Sequence, residues 1–157
     1  MLATDGRMHL SDSPRHTMSL VPNVQQTVPL LAVADMAATL RFYVDGLGFK
    51  ITRRWDDQGK LRWCWLELGG AALMLQEFPK EGHDSWRPEG KVGEGVQFCF
   101  ICADALAIHR AAVARGLAAT RPVVGNGMWV TELKDPDGYR IAFESPTAEA
   151  EDTVLEA

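Results

Sequence analysis

No run of apolar residues in this 157-residue chain approaches the length that crosses a bilayer, so the sequence offers no transmembrane helix. The first 23 residues lack a basic cluster followed by an apolar stretch, and nothing there reads as a secretory signal. Cysteine is scarce. Cys64, Cys99 and Cys102 make neither an even framework nor a CxxC pair, and all three sit in apolar surroundings. They read as buried, reduced thiols of a cytoplasmic protein. Basic residues are outnumbered, 16 against 21 acidic, for a net charge of -5. Nucleic-acid binding needs a basic face that displaces counterions, so no nucleic-acid partner is expected. There is no GxSxG elbow, no phosphate loop, and no Cys or Ser beside an evident base. Histidine is rare as well. His9 and His16 fall in the irregular start; His83 in a loop and His109 on a helix are both read as surface positions.

What remains is ordinary globular material, 46% hydrophobic and 24% charged, enough for one domain with a sizeable core. Residues 1–25 lack periodicity and read as a flexible leader, with Met18 an alternative start. Residues 147–157 form an acidic tail, expected to fray. Between them, Val28–Val33 reads as a strand and Asp35 as a helix N-cap. Met36, Leu40, Tyr43 and Leu47 recur at helical spacing up to Gly46 and Gly48. Strands follow at Phe49–Trp55, Leu61–Leu68 and Ala71–Phe78, with turns at Asp57-Gln-Gly59 and Gly69-Gly70. After the polar loop 79–94 the pattern restarts. Val96–Cys102 is a strand, Asp104 an N-cap, and Leu106 to Val113 a helix ending at Gly116. Strands then fall at 118–124, 128–134 and 139–144, hinged at Gly125-Asn-Gly127 and Asp135-Pro-Asp-Gly138.

The order strand, helix, three strands therefore occurs twice, over 26–78 and 95–146. An α+β domain of two βαβββ modules is expected: a curved mixed sheet with helices on its convex side and a cavity on its concave side. The repeat, the opening Val33-Ala-Asp35 before Leu40-Arg-Phe-Tyr43, Gly46-Leu-Gly-Phe49 and the late Asp135-Pro-Asp-Gly-Tyr139 resemble the vicinal oxygen chelate superfamily. That superfamily holds glyoxalase I, extradiol dioxygenases, fosfomycin-resistance enzymes and bleomycin-resistance proteins. The resemblance runs from about Gln26 to Pro146 and rests on the joint order of the motifs.

Enzymes of the superfamily hold one divalent ion with His, Glu or Gln at four inward strand positions. The resemblance maps those positions to Val28, Met74, Gln97 and Ala142. Only Gln97 is a usable ligand, since Val and Ala offer no electron pair. No metal and no other cofactor are expected. A displaced site would have to draw on Glu67, Gln97 and Glu144, or on Gln76 if the register at Met74 is off by two.

Without an ion, the resemblance points to the bleomycin-resistance branch, whose members sequester a drug unchanged. Five tryptophans are many for this length. Trp63 and Trp65 share a strand face with Glu67, while Cys64, Leu66 and Leu68 make the more apolar opposite face, which suits a helix. This places Trp63 and Trp65 on the cavity side, against the plainer reading that they fill a core or a dimer seam. Aromatic walls beside a carboxylate suit a flat or cationic ligand. Contacts are expected from Trp63, Trp65, Gln97, Trp129 and Glu144, with Met74, Val28 and Ala142 as apolar lining. Trp86 sits in loop 79–94, which reads as disorder, a lid or a partner arm. The resemblance also implies a homodimer. Two other readings stay open: a glyoxalase-like metal-dependent lyase, isomerase or dioxygenase with displaced ligands, and a non-catalytic dimeric interaction domain with a filled cavity.

Overall fold

The computed structural model describes residues 23–78, 90 and 92–156. Most of the leader and of loop 79–94 lies outside the described residues, and with them His9, His16, Met18, His83 and Trp86.

The chain opens with β1 (Leu30–Ala32) and α1 (Met36–Leu40), which widens into a π-helical stretch over Arg41–Gly46. β2 (Lys50–Asp57), β3 (Lys60–Leu68) and β4 (Ala71–Gln76) complete the first half. The second half repeats the order with β5 (Gln97–Ile101), α2 (Ala105–Ala114), β6 (Val123–Gly125), β7 (Met128–Lys134) and β8 (Arg140–Pro146). Both expected N-caps form, because an extended Asp just ahead of a helix can reach a first-turn amide. Asp35 accepts from the Ala38 amide at 3.1 Å and Asp104 from the Ala107 amide at 2.8 Å.

The expected mixed sheet is two four-stranded sheets, ordered β1-β4-β3-β2 and β5-β8-β7-β6. β1 pairs parallel to β4, as β5 does to β8, and the other neighbours are antiparallel. The halves match in register as well as in order. Leu30 stands opposite Met74 and lies five residues before its N-cap; Cys99 stands opposite Ala142 and lies five before its own. By the same count Val28 corresponds to Gln97, and Gln76 to Glu144.

Each sheet has one face under a helix. Leu31, Cys64, Leu66, Leu73 and Leu75 are buried with Met36, Phe42, Tyr43 and Phe49; Leu133, Ile141 and Phe143 are buried with Ala105 and Ala112. The two groups form one continuous core, with Phe49 edge-on to Phe100 and Phe100 stacked on Phe143. Burial lifts the Cys64 thiol to about 11, first by desolvation, so it packs as a small apolar side chain. Cys102 is half-buried as expected of an inward thiol, but Cys99 is exposed, because strand alternation turns it to the other face.

The halves are joined through the Asp135-Pro-Asp-Gly138 turn. Asp135 Oδ1 accepts from the amides of Asp137, Gly138 and Tyr139 at 3.0, 2.9 and 2.8 Å. Its Oδ2 accepts from the Tyr43 hydroxyl at 3.1 Å, on the first half. Asp137 accepts from the Ala34 amide at 2.9 Å and from Thr39 Oγ1 at 3.3 Å. Tyr43 is fully buried; desolvation, then the Asp135 charge, push its phenol well above the ordinary value, so it remains a donor. Gly46 sits at a close approach of the halves: a Cβ there would lie 2.5 Å from Leu117 Cδ1 in the second half, so the Leu117 side chain would have to shift.

Two expected segments differ. The strand expected over 118–124 reduces to Val123–Gly125 plus an isolated bridge from Ala119 to Leu133. The acidic tail does not fray. It doubles back along β6, with a Val123–Val154 bridge and hydrogen bonds from the Val124 amide to Thr153 and from the Leu155 amide to Pro122. The Glu151 carboxylate accepts from the Asn126 and Gly127 amides at 3.0 and 2.7 Å. Both turn residues have positive φ, a conformation that aims adjacent amides at one anion.

Candidate functional site

Each sheet has a second face turned away from its helix, called here the open face. On the first sheet, pairing puts Trp63 opposite Gln76, Trp65 opposite Met74 and Glu67 opposite Ala72, all on the open face, with Leu30 beside Met74. Trp63 and Trp65 thus face opposite to buried Cys64 and Leu66, on the side without a helix.

The structure adds two residues that sequence reasoning missed. Arg53 pairs with Trp65 and Trp55 with Trp63. Ile51, two residues before Arg53, packs on the core, so plain alternation would send Arg53 and Trp55 toward the core face as well. A register break between Ile51 and Arg53 turns them to the open face, and a second break, between Trp55 and Asp56, returns Leu61 to the core. The result is three indoles on two neighbouring strands. The Arg53 guanidinium lies 4.9 Å from the Trp65 ring centroid, and Trp65 Nε1 donates to Glu67 at 2.9 Å. The two-residue turn at Gln58-Gly59 gives no signal for this pairing: continued without a break it would set Trp55 opposite Arg62 and on the other face from Trp63.

On the second sheet the open face carries Gln97, Cys99, Ile101, Glu132, Ala142 and Glu144. Gln97 Nε2 donates to Glu132 at 3.1 Å, and Arg140 donates to the same carboxylate at 3.2 Å. Burial, then the Glu144 and Glu132 carboxylates, hold the Cys99 thiol above its usual range. Trp129 is not on this face. It pairs with Ser145 and Val124, shares its strand face with buried Thr131 and Leu133, and packs on the core.

The expected contact residues are therefore distributed over three places rather than gathered. Trp63, Trp65 and Met74 form part of the first sheet's aromatic face, Gln97, Ala142 and Glu144 share the second sheet's open face, and Trp129 lies on the helix side. Val28 and Gln97 meet in a groove of about 840 Å³ between the stretch leading into β1, the β3–β4 hairpin and β5. Leu47, Leu68, Phe98, Phe100, Ile108 and Phe143 give it apolar walls.

A divalent ion does not fit these residues. Val28 and Ala142 carry no donor, and Gln97 is engaged with Glu132. Among alternative donors, Glu67 is bonded to Trp65 on one sheet while Glu144 stands on the other. Among the described residues no three His, Cys, Asp or Glu side chains are grouped to share an ion. Among the described residues, too, no helix is long and apolar enough to cross a membrane.

Residues 13–143 match the family model of the Glyoxalase/Bleomycin resistance protein/Dioxygenase superfamily. Among solved structures, TioX from Micromonospora sp. ML1 aligns with a TM-score of 0.63 at 19% identity, covering 78% of this chain and 99% of that one. TnmS3, an antibiotic binding protein from Streptomyces sp. CB03234, aligns at 0.62 and 21% identity, covering 81% and 100%. A glyoxalase-related enzyme from Fulvimarina pelagi aligns at 0.59 and 19% identity, covering 85% and 99%. No curated protein is a match for the sequence. At these identities the likeness to solved structures bears on the fold.

Proposed function

The chain belongs to the glyoxalase/bleomycin resistance protein/dioxygenase superfamily, and on that premise we propose that it holds a flat, drug-like aromatic or cationic small molecule without altering it and without a metal. The observation that carries this reading is the chemistry of the four mapped positions. Val28, Met74, Gln97 and Ala142 leave a Lewis-acid mechanism without a ligand set, while the indoles of Trp63 and Trp65 supply a surface on which a planar molecule stacks. TnmS3, a structural neighbour, is an antibiotic binding protein.

The same reading makes the protein a cytoplasmic homodimer without a nucleic-acid partner. Support for the dimer alone is apolar surface on the open faces, where Ile101 is 70% exposed. Sedimentation equilibrium is expected to give twice the chain mass.

The deciding experiment measures metal content after soaking with nickel, zinc, manganese and ferrous iron followed by dialysis. No ion is expected to be retained, and planar ligands are expected to quench tryptophan fluorescence. One tightly held ion per chain would transfer the protein to the metal-dependent enzymes of the superfamily.

A further inference from the structure

We infer that the first sheet's open face selects a planar aromatic anion, the carboxylate or phenolate of a fused-ring ligand, with Trp55, Trp63 and Trp65 as the stacking platform and Arg53 as the counter-charge. This narrows the binding function proposed above and rests on it.

Three observations point the same way. The first is the pair of register breaks that bracket Arg53–Trp55. Bulges twist a strand and interrupt its ladder, and they recur where side chains must be re-aimed. Here the aim is specific: an arginine and an indole leave the core side and join two indoles already on the open face.

The second is the state of the cation–π face. One face of the Trp65 ring, where a ligand ammonium could otherwise sit, is covered by Arg53 at 4.9 Å. A cationic ligand would have to displace that guanidinium or accept repulsion from it. An anion gains from it.

The third is the balance of hydrogen-bonding groups. Glu67, the acidic group on the rungs beside Arg53, already accepts from Trp65 Nε1 and stands opposite Lys50 on β2. Among the described residues Arg53 has no carboxylate partner: the ion pairs of the surrounding strands join Arg54 to Asp56, and Lys60 and Arg62 to Glu77. Between the Lys50–Glu67 and Trp55–Trp63 rungs, two cations, Lys50 and Arg53, stand against the one carboxylate of Glu67, a local charge opposite in sign to the chain's -5. A planar ring carrying an oxyanion would stack across Trp55 and Trp63 while its oxygen meets the guanidinium, a pairing suited to arginine's flat fork.

The test titrates the full-length protein with three fluorescent probes of one ring system: anthracene-9-carboxylate, neutral anthracene-9-methanol and cationic 9-(aminomethyl)anthracene. The carboxylate is expected to bind about tenfold more tightly than the ammonium, the effect of one partly exposed charge-assisted hydrogen bond. Arg53→Gln should erase that preference while the neutral probe binds as before, and Arg53→Lys should restore part of it. Trp55→Ala should weaken all three probes alike. Equal or tighter binding of the ammonium, or an anion preference that survives Arg53→Gln, overturns the inference while leaving the binding function intact. Failure of all three probes to bind overturns both.

Discussion

Replacing Asp135 tests how the two halves are held together. Its carboxylate accepts from three amides of its own turn and from the buried Tyr43 hydroxyl. In Asp135→Ala the Gly138 amide keeps a second acceptor, the Asp135 carbonyl at 3.0 Å. The Asp137 and Tyr139 amides and the Tyr43 hydroxyl lose the partner they have in this turn. At about 1–3 kcal/mol per stranded buried group, and with water reaching part of the turn, the loss should be about 3–5 kcal/mol. Tyr43→Phe removes one donor and leaves Oδ2 bare, for about 1–2 kcal/mol. Because both changes break the same bond, the double variant should fall short of the sum by about 1–2 kcal/mol. Urea unfolding followed by circular dichroism, with a common slope for all four proteins, reads each value. Additivity of the two changes, or a Tyr43→Phe loss within about 0.5 kcal/mol of zero, would refute the latch. Acidity provides a second arm. Desolvation raises the folded-state pKa of Asp135 above its unfolded value. The stabilisation tied to its proton is therefore fully present below the unfolded pKa and is lost as pH rises through the folded one. Measured against Asp135→Asn, the parent should lose relative stability as pH rises through that window; a relative gain would contradict the burial argument.

Three further outcomes follow from other sites. Gly93 has φ +75, and a Cβ there would meet Tyr139 Cα at 2.8 Å and the Gly138 carbonyl at 2.9 Å, both backbone. Gly93→Ala should cost about 2–4 kcal/mol, the sum of left-handed strain and overpacking, read as a lowered urea midpoint. Glu151→Ala removes the acceptor of the Asn126 and Gly127 amides and should cost about 1 kcal/mol while raising amide exchange at those two positions. Iodoacetamide should modify exposed Cys99 before Cys102 and leave buried Cys64 untouched in the native protein, as peptide mass spectrometry would show; early labelling at Cys64 would contradict its placement.

Period-two alternation in β3 was readable because one face is uniformly apolar. Cys64 and Leu66 had to lie under a helix, and Trp63 and Trp65 followed to the other side. The same logic was available in β7, where Trp129, Thr131 and Leu133 alternate with Val130, Glu132 and Lys134, and it argues against Trp129 as a contact on the open face. What alternation cannot carry is a break in its own phase. Arg53 and Trp55 depend on an extra residue in the ladder, which leaves no mark in residue type. Long-range side-chain bonds were equally hidden: Asp135 reads as a turn former, yet its partner Tyr43 lies 92 residues away. Glu151 belongs to the same class, a charge in an apparently loose tail whose acceptor role exists only once the chain has doubled back.

That returning tail bears on how copies of the protein meet. An uncovered strand edge invites another chain to extend the sheet, and repeated extension makes a fibre. β2 counters this with Arg53, Arg54, Asp56 and Asp57, and β6 is sealed by residues 152–155. The backbone edge left on the second sheet is β5, recessed against the stretch leading into β1 and the β3–β4 hairpin that wall the groove. A neighbouring chain reaching that edge meets side walls instead of an open ribbon, which hinders extension of the second sheet by another copy.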